Sequence, residues 1–332
     1  MIKKPFLLTA LVCLSTLLAG CEHQTDKITV AVGPAVSATE QLSHQILQNY
    51  GIKLDALNLR QERFVDALDG VEEGDIDLSL GLLGLPAEGI ERLQAATGDV
   101  KLLGLSDEVI AQLEQQTGYR RFVIPKGSYK FVEQDVLTVA AFAVLMANTQ
   151  TINDEMGYQL AKTMYEQAPE LNHAQARFMT LENALKGGEQ LPIHPGAKRF
   201  YEEQGLTVSL PVAELGKVSS KSEYLVGTGS NGGDYYSLGK ELTQQWSQSI
   251  PGTNFTNLKS HASLENLANL NDNKLDLGMT VQVAAGDALA GRGHFAEKAV
   301  DNIAFIGQLY PEVFQAVTRS HYHLNAFDDL QQ

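Results

Sequence analysis

The chain is nearly without cysteine: Cys13 and Cys21 are the only two in 332 residues. Beyond Cys21 this excludes an internal disulfide and a cysteine-ligated metal site, so an exported chain would rest on its core. Basic residues are also scarce, with 25 Lys and Arg against 40 Asp and Glu and a net charge of −15. That balance argues against nucleic acid and against a polybasic membrane-binding patch. It also requires any anionic ligand to be held by local N–H dipoles, since the overall field repels it. No apolar run is long enough for a permanent transmembrane helix; the longest candidate, residues 6–18, falls short. Against these absences, a hydrophobic content of 44% is ample for real cores, and the length suits about two domains.

Lys3 and Lys4, the apolar run after them and Leu18-Ala19-Gly20-Cys21 have the three parts of a secretory signal. Leu-Ala-Gly-Cys resembles the lipobox of bacterial lipoproteins, which implies that Cys21 carries a lipid. Residues 1–20 are then the signal peptide and 21–27 a lipid-anchored linker. Glu22 follows the cysteine in place of the Asp that holds many lipoproteins at the inner membrane, which mildly favours the outer one.

From Lys27 onward, β-branched runs alternate with amphipathic helical patterns, the signature of an α/β protein. Strands are expected over residues 28–32, 76–83, 100–103, 122–125 and 136–145. Helices are expected over 39–50, 62–68, 87–95, 106–115 with Ser106 as N-cap, 154–167 and 180–185. A polar connector at 206–222, punctuated by Pro211 and Gly216, precedes a second series. That series has strands at 224–226, 255–258 and 275–281, helices to about 249 and over 264–270, and a last strand ending at Thr318. An internal repeat supports two related lobes, 28–125 and 126–332. Ile76-Asp77-Leu78-Ser79 parallels Leu275-Asp276-Leu277-Gly278 downstream of the similar strands 30–33 and 225–227. Two such lobes imply a cleft at the carboxyl ends of their strands.

The densest functional signal is Val226-Gly227-Thr228-Gly229-Ser230-Asn231-Gly232-Gly233-Asp234, a strand entering a glycine-rich loop ahead of a helix. Such a loop lets successive N–H groups surround an anion. The spacing matches the dinucleotide fingerprint, but no acid follows the next strand until Glu265, where a ribose would need one. A phosphate-binding P-loop would need Lys after the glycines, and Asp234 stands there. Ser37, Ser230 and Ser263 lie in loops without the Gly-x-Ser-x-Gly elbow, and read as ligand donors or helix caps. His321 and His323 lack a third metal partner, His194 reads as a turn residue and Trp246 as core. No catalytic residue and no cofactor is assigned.

Residues 227–239 together resemble the opening loop of the TAXI solute receptors of TRAP transporters. Leu309-Tyr310-Pro311-Glu312, Ile124-Pro125-Lys126-Gly127-Ser128-Tyr129, Thr138-Val139-Ala140 and His194-Pro195-Gly196-Ala197 resemble other segments of that family. The resemblance covers nearly all of the chain after Lys27. It implies a two-lobed, periplasmic-binding-protein-like (type II) fold and a non-enzymatic receptor for a small carboxylate, glutamate-like or dicarboxylate. Such a receptor works in the periplasm and delivers its ligand to a TRAP-type membrane permease. Matched to the family's loops, Thr228, Ser230, Asn231 and Tyr236 form one side of the pocket, Ser37, Thr39 and Glu40 the other, with Ser260, Ser263 and Gln282 nearby.

The segments stand in a different order from the family's, whose glycine-rich loop opens the mature chain. The sequence therefore resembles a circular permutant rejoined through the connector, with each lobe contiguous and only residues 118–136 crossing between them. Three of its loops also depart from the family. The usual Gly-Ser-Gly-Thr is Val36-Ser37-Ala38-Thr39, and Thr-Gly-Gly-Ser is Ser260-His261-Ala262-Ser263. Gln-x-Asp is replaced at Val281-Gln282-Val283, which leaves no acid there for a substrate amine. The alternative is a receptor domain whose pocket has degenerated, acting as an envelope sensor or assembly partner.

Overall fold

A computed structural model describes residues 27–331; the signal segment and Cys21 lie outside the described residues. The first series runs β1 (Thr29–Ala31), α1 (Ala38–Asn49), β2 (Asn58–Arg60), α2 (Phe64–Glu73), β3 (Leu78–Leu83), α3 (Glu88–Thr97), β4 (Val100–Leu103), α4 (Asp107–Gln116) and β5 (Arg120–Ile124). A long strand, β6 (Val136–Asn148), then leads to α5 (Asp154–Glu166) and α6 (Pro195–Glu203). The second series is β7 (Glu223–Gly227), α7 (Asp234–Ser249), β8 (Asn254–Leu258), α8 (Ser263–Asn271), β9 (Leu277–Val281) and α9 (Gln282–Ala290), closed by β10 (Ile303–Arg319).

The expected α/β, two-lobed arrangement is present, and its two halves repeat one topology. β1 lies parallel between β2 and β3, and β7 lies parallel between β8 and β9. The repeated aspartates explain part of the likeness. Asp77 accepts a hydrogen bond from the Thr29 N–H at 2.8 Å, and Asp276 accepts one from the Leu225 N–H at 2.8 Å. Each carboxylate thus ties the entry of the third strand of its half to the start of the first, where the parallel ladder leaves N–H groups unpaired.

β6 and β10 join the halves. β10 pairs antiparallel with β6 over residues 303–313, then with β3 and β4 over 313–319, while β6 also pairs with β9 and β5. Register shifts near Gly307 and Tyr310 re-aim β10 where it leaves one half for the other. Two strands therefore cross, not residues 118–136 alone. Residues 313–331, expected with the second lobe, pack with the first: Phe327 stacks on Tyr50 at 5.0 Å, and Gln331 donates to the Tyr50 carbonyl.

Amphipathic spacing buries Leu42, Ile46 and Leu47 of α1 and Leu238, Leu242 and Trp246 of α7. One core runs through both halves along β6 and β10, including Leu145, Tyr310 and Phe314. A second, formed by Leu68, Val71, Ile90 and Leu93 with neighbours, lies under α2 and α3. The structure departs from expectation at short or polar elements. Residues 180–185 form successive three-residue turns, with Asn183 N–H to the Thr180 carbonyl and Ala184 N–H to the Leu181 carbonyl. β2, α6 and α9 were not anticipated. His194 is not a free turn residue but the buried N-cap of α6, its Nδ1 accepting from Gly196 N–H at 3.2 Å, ahead of Pro195 at the first helical position.

Candidate functional site

Between the halves lies a cavity of about 120 Å³ lined by residues of both. Three helices begin on it. α1 contributes Ser37, Ala38 and Thr39, α7 contributes Gly233, Asp234 and Tyr235, and α8 contributes Ala262 and Ser263. Backbone N–H groups of a helix's first turn have no intrahelical acceptor and carry partial positive charge, so their convergence favours an anionic group.

The three termini are not equivalent. At α1 the Ser37 hydroxyl accepts the Glu40 N–H at 3.1 Å, while Glu40 accepts the Val36 N–H at 2.6 Å and bonds Gln61. This arrangement, close to a capping box, satisfies the Glu40 and Val36 N–H groups. α7 and α8 start from Gly233 and Ala262, with no side-chain cap. Their first-turn donors are left for a ligand or water.

Of the sequence-derived candidates, Ser37, Thr39, Ser230, Ser260 and Ser263 line this cavity together. The other five do not. Thr228 is fully buried, its hydroxyl 2.7 Å from Asn257 Oδ1 and its carbonyl accepting from Ser260 and Asn266; it shapes the loop from behind. Asn231 is exposed in an adjoining surface hollow with Lys259 and His261. Tyr236 turns away under the Lys259 ammonium, 5.5 Å from its ring centre. Glu40 is engaged in the arrangement at the start of α1. Gln282 borders a separate, larger hollow beside α4 and α9, where its side-chain oxygen accepts from the Phe142 N–H.

Sequence reasoning missed the acids. The reading from Val281-Gln282-Val283 left no carboxylate for a ligand amine, yet Asp234 and Glu312 both line the cavity. Glu312 is buried on β10, and its Oε2 accepts from the Tyr235 hydroxyl at 3.0 Å. Burial pushes the Glu312 carboxyl up to about 8, with the nearby Asp234 charge adding to the rise and the Tyr235 bond opposing it. Asp234 is raised as well, chiefly by burial, and is held back by His173 and by the Gly84 N–H. Tyr310 completes this wall. Its ring meets Tyr235 edge-on at 6.1 Å, and its buried hydroxyl has no partner. Both acids stood in named segments, Asp234 as the residue that ruled out a P-loop and Glu312 at the end of Leu309-Tyr310-Pro311-Glu312. Neither position told which way the side chain points.

The halves are closed on one another around the cavity. The Gly84 N–H donates to Asp234 Oδ2 at 3.0 Å, Gln175 Nε2 to the Pro86 carbonyl at 3.1 Å, and Arg177 to the Leu85 carbonyl at 2.8 Å. A Cβ at position 84 would stand 2.3 Å from the Gln175 amide nitrogen and 2.7 Å from Asp234 Oδ2, so a larger residue there would displace the side chains that tie the halves. Gly232, at φ +81°, presses the glycine loop against Val65 of α2.

Val36 and Ala262 have positive φ, 55° for Val36 and 66° with ψ −138° for Ala262. Backbone in these regions is strained for any residue with a Cβ, most of all a β-branched one.

Among the described residues no group of three or more His, Cys, Asp and Glu side chains is placed to hold a metal, and His321 pairs with Asp99 at 2.8 Å. No helix among them is long and apolar enough to cross a membrane. A family model described as the NMT1-like family matches residues 22–205 and 226–332, interrupted at the connector. Among solved structures, the phosphate-binding protein of a phosphate ABC transporter from Streptococcus pneumoniae TIGR4 aligns at 11% identity and a TM-score of 0.38, over 88% of this chain and 89% of that one. An ancestral arginine-binding protein bound to arginine aligns at 10% identity and 0.41, over 93% and 92%. The substrate-binding protein of an amino acid ABC transporter aligns at 8% and 0.37, over 92% and 89%. With every one of these TM-scores below 0.5, the family match carries the assignment.

Proposed function

We propose that this chain, which belongs to the NMT1-like family, is an extracytoplasmic solute-binding lipoprotein of the two-lobed, type II kind. It closes its halves on a small carboxylate, glutamate-like or dicarboxylate, and passes it to a TRAP-type permease. The observation that carries the reading is the convergence of three helix N-termini on one small cavity between the halves, two of them without side-chain caps. In an acidic protein such a site binds a carboxylate by local N–H dipoles and the hydroxyls of Ser230 and Ser263, without a required arginine. Closure follows from ligand contacts to both halves, because only a ligand that interacts better with the closed state shifts the equilibrium toward it. Cys21 would hold the receptor to a membrane, the outer one by preference.

The resemblance to a circularly permuted TAXI receptor is compatible with the fold, in which Lys27 and Ile28 border the same surface hollow as Tyr322 and Leu324. A second reading, an envelope sensor or assembly partner with a degenerate pocket, is favoured by Val36 and Ala262, whose Cβ groups stand where the TAXI receptors that the chain resembles have glycine.

Ligand-dependent thermal shift of the full chain against C4 and C5 dicarboxylates and acidic amino acids tests the first reading. A rise in melting temperature with one class is expected. A flat response across the panel overturns it in favour of the second.

A further inference from the structure

A site built only for anions would not place two carboxyl groups on its wall. Asp234 and Glu312 both face the cavity, and of its lining residues only Arg63 is a permanent cation. The Arg63 guanidinium lies 2.6 Å from Asp66 and is already paired. A dicarboxylate entering here would add two negative charges beside two acids, whereas an acidic amino acid adds one and brings an ammonium group that can pair with them. The wall also holds an unmet polar group: the Tyr310 hydroxyl is buried and has no partner, although buried hydroxyls are nearly always paired. Glu312 uses Oε2 for Tyr235 and makes no hydrogen bond through Oε1 among the described residues.

We infer that Glu312, Asp234 and Tyr310 form a subsite for the ammonium group of an amino-acid ligand, whose carboxylate lies at the uncapped starts of α7 and α8. The inference rests on the solute-binding reading and narrows it to amino acids over their des-amino counterparts. Tyr310 supplies an acceptor oxygen, and the acids supply charge-assisted bonds to the N–H groups.

A proton accompanies the ligand. With burial holding the free carboxyl near 8, Glu312 is mostly protonated at pH 7. An adjacent ammonium favours the carboxylate, so the Glu312 O–H proton leaves to solvent as the ammonium–carboxylate pair forms. The groups facing Glu312 are Tyr235 and Asp234 on α7, Tyr310 on β10, Ser263 on α8 through Tyr235, and Tyr119 before β5. His173 and Glu88 act on it through Asp234, and Arg63 and His261 lie along the cavity's edge. None of these supplies an unpaired fixed cation that would ionise Glu312 without ligand.

Titration calorimetry of the full chain at pH 7 tests this with glutamate against glutarate and aspartate against succinate. Each titration is run in two buffers of different ionisation enthalpy, so that released protons are counted. The expected result is binding of at least one amino acid, at least 100-fold weaker binding of its des-amino partner, and release of close to one proton per ligand. Glu312→Gln should abolish the release and weaken the amino acid at least tenfold. Should that variant fail to fold, the proton count and the ligand ratio on the unmodified chain still decide. Glutarate or succinate binding as tightly as its amino partner, or an amino acid binding without proton release, overturns the subsite and leaves the carboxylate receptor standing. Binding of none of the four removes the solute-binding reading and the subsite with it.

Discussion

The loop before α1 and the loop before α7 occupy the same place in the two halves, each leaving the first strand of its series and opening on the cleft. Their chemistry differs. In the first, Ser37 and Glu40 accept the Glu40 and Val36 N–H groups, and Val36 is held at positive φ. The second keeps its glycines, starts its helix without a side-chain cap, and places Asp234 in the first turn. Equivalent topology therefore does not give equivalent sites. One loop shapes the cavity, while the other offers both free N–H groups and an acid. The strand connecting the halves adds Glu312, which belongs to neither loop.

The largest expected effect breaks this comparison at the connecting strand. The Glu312 carboxyl is raised from the ordinary 4.5 to about 8, so the folded chain binds more protons than the unfolded one between those values. Stability from this group is complete below about pH 4.5 and is lost as pH rises through about 8. Glu312→Gln should remove that decline and stabilise the ligand-free chain above pH 8 by on the order of 4 kcal/mol. Urea unfolding from pH 5 to 9 measures it; parallel curves for the two proteins would show that Glu312 is not buried in its neutral form.

The repeated aspartates allow a comparison within one experiment. Asp276 is buried and also pairs with Lys221, whereas Asp77 is less buried and makes the strand bond without a lysine. Asp276→Ala should cost about 2–3 kcal/mol and Asp77→Ala about 1 kcal/mol in denaturant unfolding, because each leaves a strand N–H unpaired but only the first also breaks a partly buried ion pair. Equal losses would mean that the lysine contributes nothing.

The smallest effect concerns the positive-φ positions. Val36→Gly and Ala262→Gly should each raise stability by about 0.5–1 kcal/mol, relief of backbone strain outweighing the greater freedom of glycine in the unfolded chain. Differential scanning calorimetry reads the change. A loss at either position would show that its side chain contributes more through contacts than its backbone loses.

Limited proteolysis also distinguishes the sequence-based hinge from the observed one. Residues 118–136 were expected to be the sole crossing, so a cut there would free two pieces. Because β10 pairs with β6 at one end and with β3 and β4 at the other, the halves stay tied after that cut, as they do after one in the connector.

Local pattern was enough to find most of the strands and helices. Alternation and helical spacing depend on neighbours a few residues away, and the paired Ile-Asp-Leu and Leu-Asp-Leu segments revealed the duplicated halves. Ser37, Ser230 and Ser263 were legible as loop donors or helix caps because helix N-termini announce themselves through caps and glycines, whereas Thr39 and Ser260 came only from the family resemblance. Short β2 and the helices α6 and α9 were not legible: three residues carry weak periodicity, α6 opens on His194-Pro195-Gly196, which reads as a turn, and α9 has little contrast between its faces.

The sequence by itself determined the acidic character, the α/β alternation, the duplicated halves and the loops that would meet at a cleft, all properties of short segments. Only the tertiary structure decided that the last strand returns to the first half, that Glu40 and Gln282 serve the scaffold, and that Asp234 and Glu312, 78 positions apart by their numbering, share one cavity wall. The physical reason is that burial, and with it the charge state of a carboxyl group, is set by what packs around it from distant parts of the chain.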